Sequence, residues 1–148
     1  MSSAKAPKLK GGTAAMQELY EKASNTRKKS HSPYSHHKVG AALRLTDGKI
    51  YSGCNIENSS YGATVCAERT AILKAISENG GKARIEEIVV VTDATPPWPP
   101  CGMCRQVIAE FATPKTRIHA ANLKGETVST DFGKLMPQAF TPGHLVKK

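Results

Sequence analysis

Cys66-Ala67-Glu68 and, after a stretch long enough for a helix and a strand, Pro100-Cys101-Gly102-Met103-Cys104 supply three thiols and one carboxylate. That order suits metal-assisted hydrolysis. Catalytic zinc takes three protein ligands and keeps its fourth position open for water. A nearby glutamate that does not bind the metal can then carry protons between that water and a substrate. Read this way, Cys66, Cys101 and Cys104 hold one Zn2+ per chain, and Glu68 is the catalytic residue, first as general base and then as general acid.

The elements that carry these residues support the assignment. Cys66 falls at the start of one expected helix, and Cys101 and Cys104 in the first turn of another, where their i, i+3 spacing puts them on one face. Helix N-termini carry free N–H groups and a positive dipole end, which favour the thiolate. Three thiolates around a divalent zinc leave the site at a net charge of about −1, and Arg69, next to Glu68, can donate to a ligand sulfur and offset it. Other readings stay open on spacing alone. Cys-x-x-Cys also serves structural zinc knuckles and redox pairs, and Cys54 could close a four-thiolate structural site. Against these, Cys54 ends an expected strand without Cys-x-x-Cys spacing, and Glu68 has no task in a structural site. Cys54 reads as a buried structural thiol.

Around the motif, periodicity predicts a helix over Thr13 to Arg27, with Ala15, Met16, Leu19, Tyr20 and Ala23 on one face. Val39 to Leu45 and Lys49 to Cys54 read as strands joined by Asp47-Gly48, a favoured two-residue turn in which both positions take positive φ. A helix is expected from Val65 to about Glu78, stopped by Gly80-Gly81. Ile85 to Thr92 contains Ile-Val-Val-Val, a run suited to a strand buried on both faces. A helix from Cys101 to Ala112, strands over Thr116 to Ala121 and Thr127 to Thr130, and a short helical turn at Phe132 to Met136 complete the series. This order predicts an α/β protein, with a mixed sheet covered by helices on both sides. Residues 1–12 are expected to form a disordered basic tail, and residues 13–148 a single catalytic domain.

Composition excludes several classes. A hydrophobic content of 39% and a charged content of 22% are those of a globular protein. No apolar run approaches the roughly 20 residues needed to cross a bilayer, and Lys5, Lys8 and Lys10 precede no apolar stretch of a signal peptide. Free thiols in a metal-like pattern suit a reducing compartment. The expectation is therefore a cytoplasmic protein without membrane partners. The net charge of +9 gathers in the N-terminal segment, at Arg27-Lys28-Lys29 and at the C-terminus, and aromatics make up only 5% of the chain. Nucleic-acid binding would want a basic face interleaved with aromatics, so these runs read as solvated surface.

Three segments, Gly53-Cys54-Asn55-Ile56-Glu57-Asn58, Cys66-Ala67-Glu68-Arg69-Thr70-Ala71-Ile72 and Pro100-Cys101-Gly102-Met103-Cys104-Arg105-Gln106, resemble the small homotetrameric zinc-dependent cytidine deaminases, whose Cys-x-Glu…Pro-Cys-x-x-Cys signature they share. The resemblance runs over residues 13–145. It implies a three-layer α/β/α sandwich with a five-stranded sheet, and conversion of cytidine and 2′-deoxycytidine to uridine and 2′-deoxyuridine in pyrimidine salvage. It further implies that Asn55 and Glu57 bind the sugar, that Ala67 and the carbonyl beside Pro100 contact the base, and that Phe140 reaches a neighbouring subunit's site. A carboxylate at Glu57 would repel a 5′-phosphate, which favours nucleosides over nucleotides. The chain departs from the family in two places. His37 and Lys38 stand where the family has Phe and Pro, so His37 is expected as the base contact. Trp98-Pro99 precedes Pro100 where the family has Ser two residues before the cysteine. These departures leave deamination of a modified or N4-substituted cytidine-like nucleoside as the alternative.

Overall fold

The computed structural model describes residues 6–146. Its centre is a five-stranded sheet in the order β2-β1-β3-β4-β5, built from β1 (Gly40–Leu45), β2 (Ile50–Cys54), β3 (Ile85–Thr92), β4 (Arg117–Asn122) and β5 (Thr127–Asp131). The β3–β4 pair is parallel and the others are antiparallel. The sheet is thus mixed.

Alternation along the strands assigns the two faces. Ala42, Val89, Val91 and Ala121 face helix α1 (Ala14–Arg27), which buries Met16, Leu19, Tyr20 and Ala23 against them. Ala41, Leu43, Leu45, Ile88, Val90 and Ile118 face the opposite layer, where α2 (Ala67–Asn79) and α3 (Gly102–Phe111) contribute Ala71, Ile72, Ala75 and Ile108. The central strand β3 is buried along its length except at Glu86, as expected for a strand packed on both faces. Phe132–Leu135 forms the short helix α4, and Pro142–His144 is a 3-10 turn with no counterpart in the sequence reading.

Three local expectations need correction. Asp47-Gly48 is not a two-residue turn. Leu45 N–H donates to Lys49 O and Gly48 N–H to Leu45 O, and among the described non-glycine residues His36 alone has positive φ. This is the three-residue loop in which a type I turn is followed by a left-handed glycine, here Gly48 at φ 88°. Second, the segment expected to be a disordered tail through residue 12 is anchored to the domain at Leu9 and Lys10. Leu9 is 4% exposed against α1, its N–H donates to Gln17 Oε1 at 2.9 Å, and Lys10 N–H donates to Gly125 O at 3.0 Å. Residues 1–5 lie outside the described part of the chain. Third, Cys54 is half-buried rather than buried.

Gly53 lets β2 approach the helix that carries half of the motif. A Cβ there would stand 2.6 Å from Ala71 N and 2.7 Å from Thr70 Cβ. Gly53→Ala is expected to cost about 1–3 kcal/mol by overpacking; a urea unfolding midpoint equal to that of the wild type would contradict the tight contact.

A polar cluster crosses β3, β4 and β5 on the α1 side of the sheet. Glu87 is 1% exposed, its Oε1 lies 3.1 Å from His119 Nε2, and His119 Nδ1 lies 2.7 Å from Ser129 Oγ. The His119 hydrogen bond, with Arg117 and Arg44 nearby, holds the Glu87 carboxyl below its ordinary value against the opposing effect of burial. A depressed folded pKa means that ionised Glu87 stabilises the fold above the unfolded carboxylate value of about 4.3. That contribution is lost as pH falls through the lower folded value. Glu87→Gln should therefore lower stability at neutral pH, with the gap to wild type closing as pH falls below about 4. Parallel unfolding curves at every pH would count against it.

Candidate active site

The motif residues come together where β3 ends and α2 and α3 begin. Cys66 and Cys101 are the N-caps of α2 and α3, one residue before each helix proper, and neither side chain caps its own helix. The first intrahelical bonds run from Thr70 N to Cys66 O at 3.0 Å and from Arg105 N to Cys101 O at 2.9 Å. The N–H groups before them are free of intrahelical partners, so two positive helix ends point at one place. Cys104 lies one turn into α3, fully buried. The sulfurs of Cys66, Cys101 and Cys104 all lie within 4.8 Å of one another. Ligands bound to one ion at about 2.3 Å can stand no more than about 4.6 Å apart, so the three thiols are nearly gathered for a single zinc. Cys54 is not in this cluster, which removes the closed four-thiolate reading.

The electrostatics favour metal binding. Interaction with Cys104, aided by Arg69, lowers the Cys66 thiol to about 5, and the same interaction, with burial, raises Cys104. Arg69 Nη2 donates to Cys66 Sγ at 3.6 Å and to Thr64 O at 2.9 Å. Glu68 is 5% exposed, and burial, with the Cys66 thiolate adding to it, pushes its carboxyl up to about 7. Such a group can hold or release a proton at neutral pH.

Cys66, Ala67, Glu68 and Cys101 line one cavity of about 260 Å³, together with Asn55 and Glu57. That is just below the ~300–1,000 Å³ usual for small-molecule pockets, so it suits one small ligand. Val39, Thr64, Val90, Thr92, Trp98 and Pro99 complete the lining. The sequence reading had not singled out Val39, Thr64, Val90 or Thr92. Thr92 carries one usable signal, as the last residue of a strand paired in parallel, where open sheets collect ligands.

Asn55 and Glu57 are held by the loop that precedes β1. Asn55 Nδ2 donates to His37 O at 2.9 Å, while Oδ1 accepts from Val39 N–H at 2.8 Å and from Ser30 Oγ. Glu57 accepts from the N–H groups of Tyr34 and Ser35 and from Ser35 Oγ, and these bonds, the side-chain one foremost, hold its carboxyl below the ordinary value. Counting donors and acceptors, Asn55 keeps one N–H and Glu57 about one lone pair for a ligand.

His37 and Phe140 are not part of this cavity's wall. His37 does not line the cavity; its ring centroid stands 5.0 Å from that of Trp98. Phe140 is 54% exposed, stacks on His144 and is absent from the cavity wall. Arg105, which the sequence reading left without a role, donates from Nε to Pro100 O at 2.8 Å and from Nη1 to Leu135 O at 3.1 Å. It thereby ties the second half of the motif to the chain after β5.

Fold and site together define a zinc-dependent deaminase. The chain belongs to the family described as the cytidine and deoxycytidylate deaminase zinc-binding region, which it matches over residues 13–120. It is 46% identical over 130 residues to the cytidine deaminase of Sporosarcina psychrophila, a match covering 88% of this chain and 94% of that protein. It is also 46% identical over 125 residues to the cytidine deaminase of Halalkalibacterium halodurans, covering 84% and 93%. The crystal structure of cytidine deaminase from Burkholderia pseudomallei aligns with a TM-score of 0.80 at 42% identity, over 87% of this chain and 100% of that one.

Proposed function

We propose that the protein deaminates the free nucleosides cytidine and 2′-deoxycytidine, adding water and releasing ammonia to leave uridine and 2′-deoxyuridine. The observation that carries this reading is a three-thiol cluster beside a buried carboxylate at one nucleoside-sized cavity. Cys66, Cys101 and Cys104 hold zinc, which when bound supplies the Lewis acidity that makes water a nucleophile near neutral pH. Glu68 would accept a proton from the attacking water and pass it to the ring nitrogen beside the reacting carbon. It would then take the proton of the added hydroxyl, as that oxygen becomes the carbonyl, and pass it to the departing amine. Arg69 draws negative charge from Cys66. Ala67, at the buried start of α2, offers backbone to the base.

The spare N–H of Asn55 and the spare lone pair of Glu57 match one sugar hydroxyl, which accepts from the first and donates to the second. Because both side chains are already locked to the 34–39 loop, little ordering is left for binding to bring about. Glu57 would stand against a 5′-phosphate. Phe140, exposed and absent from its own cavity wall, would reach the site of a neighbouring copy in a homotetramer. The thiol cluster suits a reducing cytoplasm and a task in pyrimidine salvage. No helix among the described residues is long and apolar enough to cross a membrane.

Zinc-loaded protein assayed on cytidine, deoxycytidine and cytidine monophosphate tests the reading. Turnover of both nucleosides and little of the monophosphate is the expected pattern. A zinc-loaded protein inert on every pyrimidine nucleoside would overturn it. Light scattering tests assembly, where a stable monomer would remove the role given to Phe140.

A further inference from the structure

We propose that Trp98, positioned by His37, is the wall that sets which groups the cavity accepts around the departing amine. The inference rests on the deaminase reading above. Three observations converge on it. Trp98 and Pro99 line the cavity beside Cys101 and Glu68. The carbon under attack must lie near that cluster, so the amine leaving it lies near the same stretch of wall. Second, Trp98 sits within Pro96-Pro97-Trp98-Pro99-Pro100, where ring-fixed φ angles leave the backbone little freedom. Its side chain is the movable part.

Third, that side chain meets a deliberately held partner. The His37 and Trp98 rings pack edge-to-face, with centroids 5.0 Å apart and planes at 73°. His37 is fixed on both sides: its N–H donates to Ser35 Oγ at 3.1 Å, and its carbonyl accepts from Asn55 Nδ2 at 2.9 Å. Ser35 is in turn bound to Glu57. His36, at φ 61°, supplies the left-handed turn that precedes the histidine. The residues assigned to the sugar therefore also hold the histidine against which the indole packs. His37 is a positioning residue, and Trp98 is the surface a substrate meets.

Selectivity between cytidine and N4-acetylcytidine tests this directly. Trp98→Ala is expected to raise the kcat/KM ratio of N4-acetylcytidine to cytidine at least about tenfold, the scale of discrimination that a few contacts in a pocket provide. His37→Ala should move the ratio the same way and raise KM for cytidine about threefold to tenfold, more than it lowers kcat, as loss of one aromatic pair implies. His37→Phe, which keeps an aromatic partner, should restore both. Both side chains are exposed or nearly so, so truncation leaves the core intact. Trp98 is the single tryptophan of the chain, so its emission should change in His37→Ala and return in His37→Phe. Wild-type turnover of cytidine with the selectivity ratio unchanged in both alanine variants overturns this wall alone. A zinc-loaded wild type without turnover of any pyrimidine nucleoside overturns it together with the deaminase reading.

Discussion

Glu68→Ala lowers kcat for cytidine by more than about 10⁴-fold while the protein keeps its zinc and its fold. One acid–base group contributes about 10²–10⁴-fold where it moves a single proton. Glu68 is assigned two rounds of proton uptake and delivery, and the cavity it shares with Cys66 and Cys101 contains no second carboxylate except Glu57, which is bound to Ser35 and Tyr34. Stability should not fall with activity. Glu68 is buried, with desolvation the largest influence on it, so its removal takes away a group that is costly to ionise there. The expected result is one zinc per chain, an unfolding midpoint equal to or above that of wild type, and no measurable turnover. A residual rate within a hundredfold of wild type would mean that another group moves the protons.

Cys104→Ser separates the metal from the carboxylate. Here zinc content falls well below one per chain, and turnover falls by at least about 10²-fold, since even residues one shell removed from a metal cost 10–100-fold. Cys104 is fully buried and lies in the sulfur cluster, and a hydroxyl is a poor substitute for a thiolate as a zinc ligand. A ligand that binds only the folded state stabilises it by mass action. A chelator should therefore lower the melting temperature of wild type and leave Cys104→Ser unmoved. Full zinc occupancy in Cys104→Ser would remove this residue from the ligand set. Loss of activity with metal retained in one variant, and with metal lost in the other, distinguishes proton transfer from metal binding.

The chemistry was legible early because it depends on residue types at short spacings. Cys101 and Cys104 are three residues apart at a helix start, and no tertiary contact is needed to put them on one face. The strands were equally plain, since Ile88 to Val91 can be buried on both faces only inside a layered sheet. Boundaries were less plain. Cys66 and Cys101 are caps and not first-turn residues, because the cap is set by the φ/ψ of one residue and each helix is entered from extended chain. Asp47-Gly48 has the composition of a two-residue turn, yet strand register inserted Thr46 and turned the loop into a three-residue one.

The roles of Asn55, Glu57 and His37 show where residue type stops informing. Asn55 and Glu57 have polar capacity that a sugar could use, but most of it holds the loop from Ser30 to Val39 in place. That division depends on which backbone groups lie within 3 Å, and only folding settles it. His37 looks like a base contact from its position in the chain, whereas the fold sets it against Trp98, a residue 61 positions away in the sequence. Leu9 likewise seems part of a basic tail until α1 offers it an apolar surface. Local spacing and periodicity, with the resemblance to a known family, suffice to nominate the metal ligands and the proton carrier and to predict the layered sheet, because motifs and side-chain directions are set within a few residues. The shape of the cavity, the free capacity of its polar groups and the wall at Trp98 arise from contacts between distant segments, which exist only once the chain has packed.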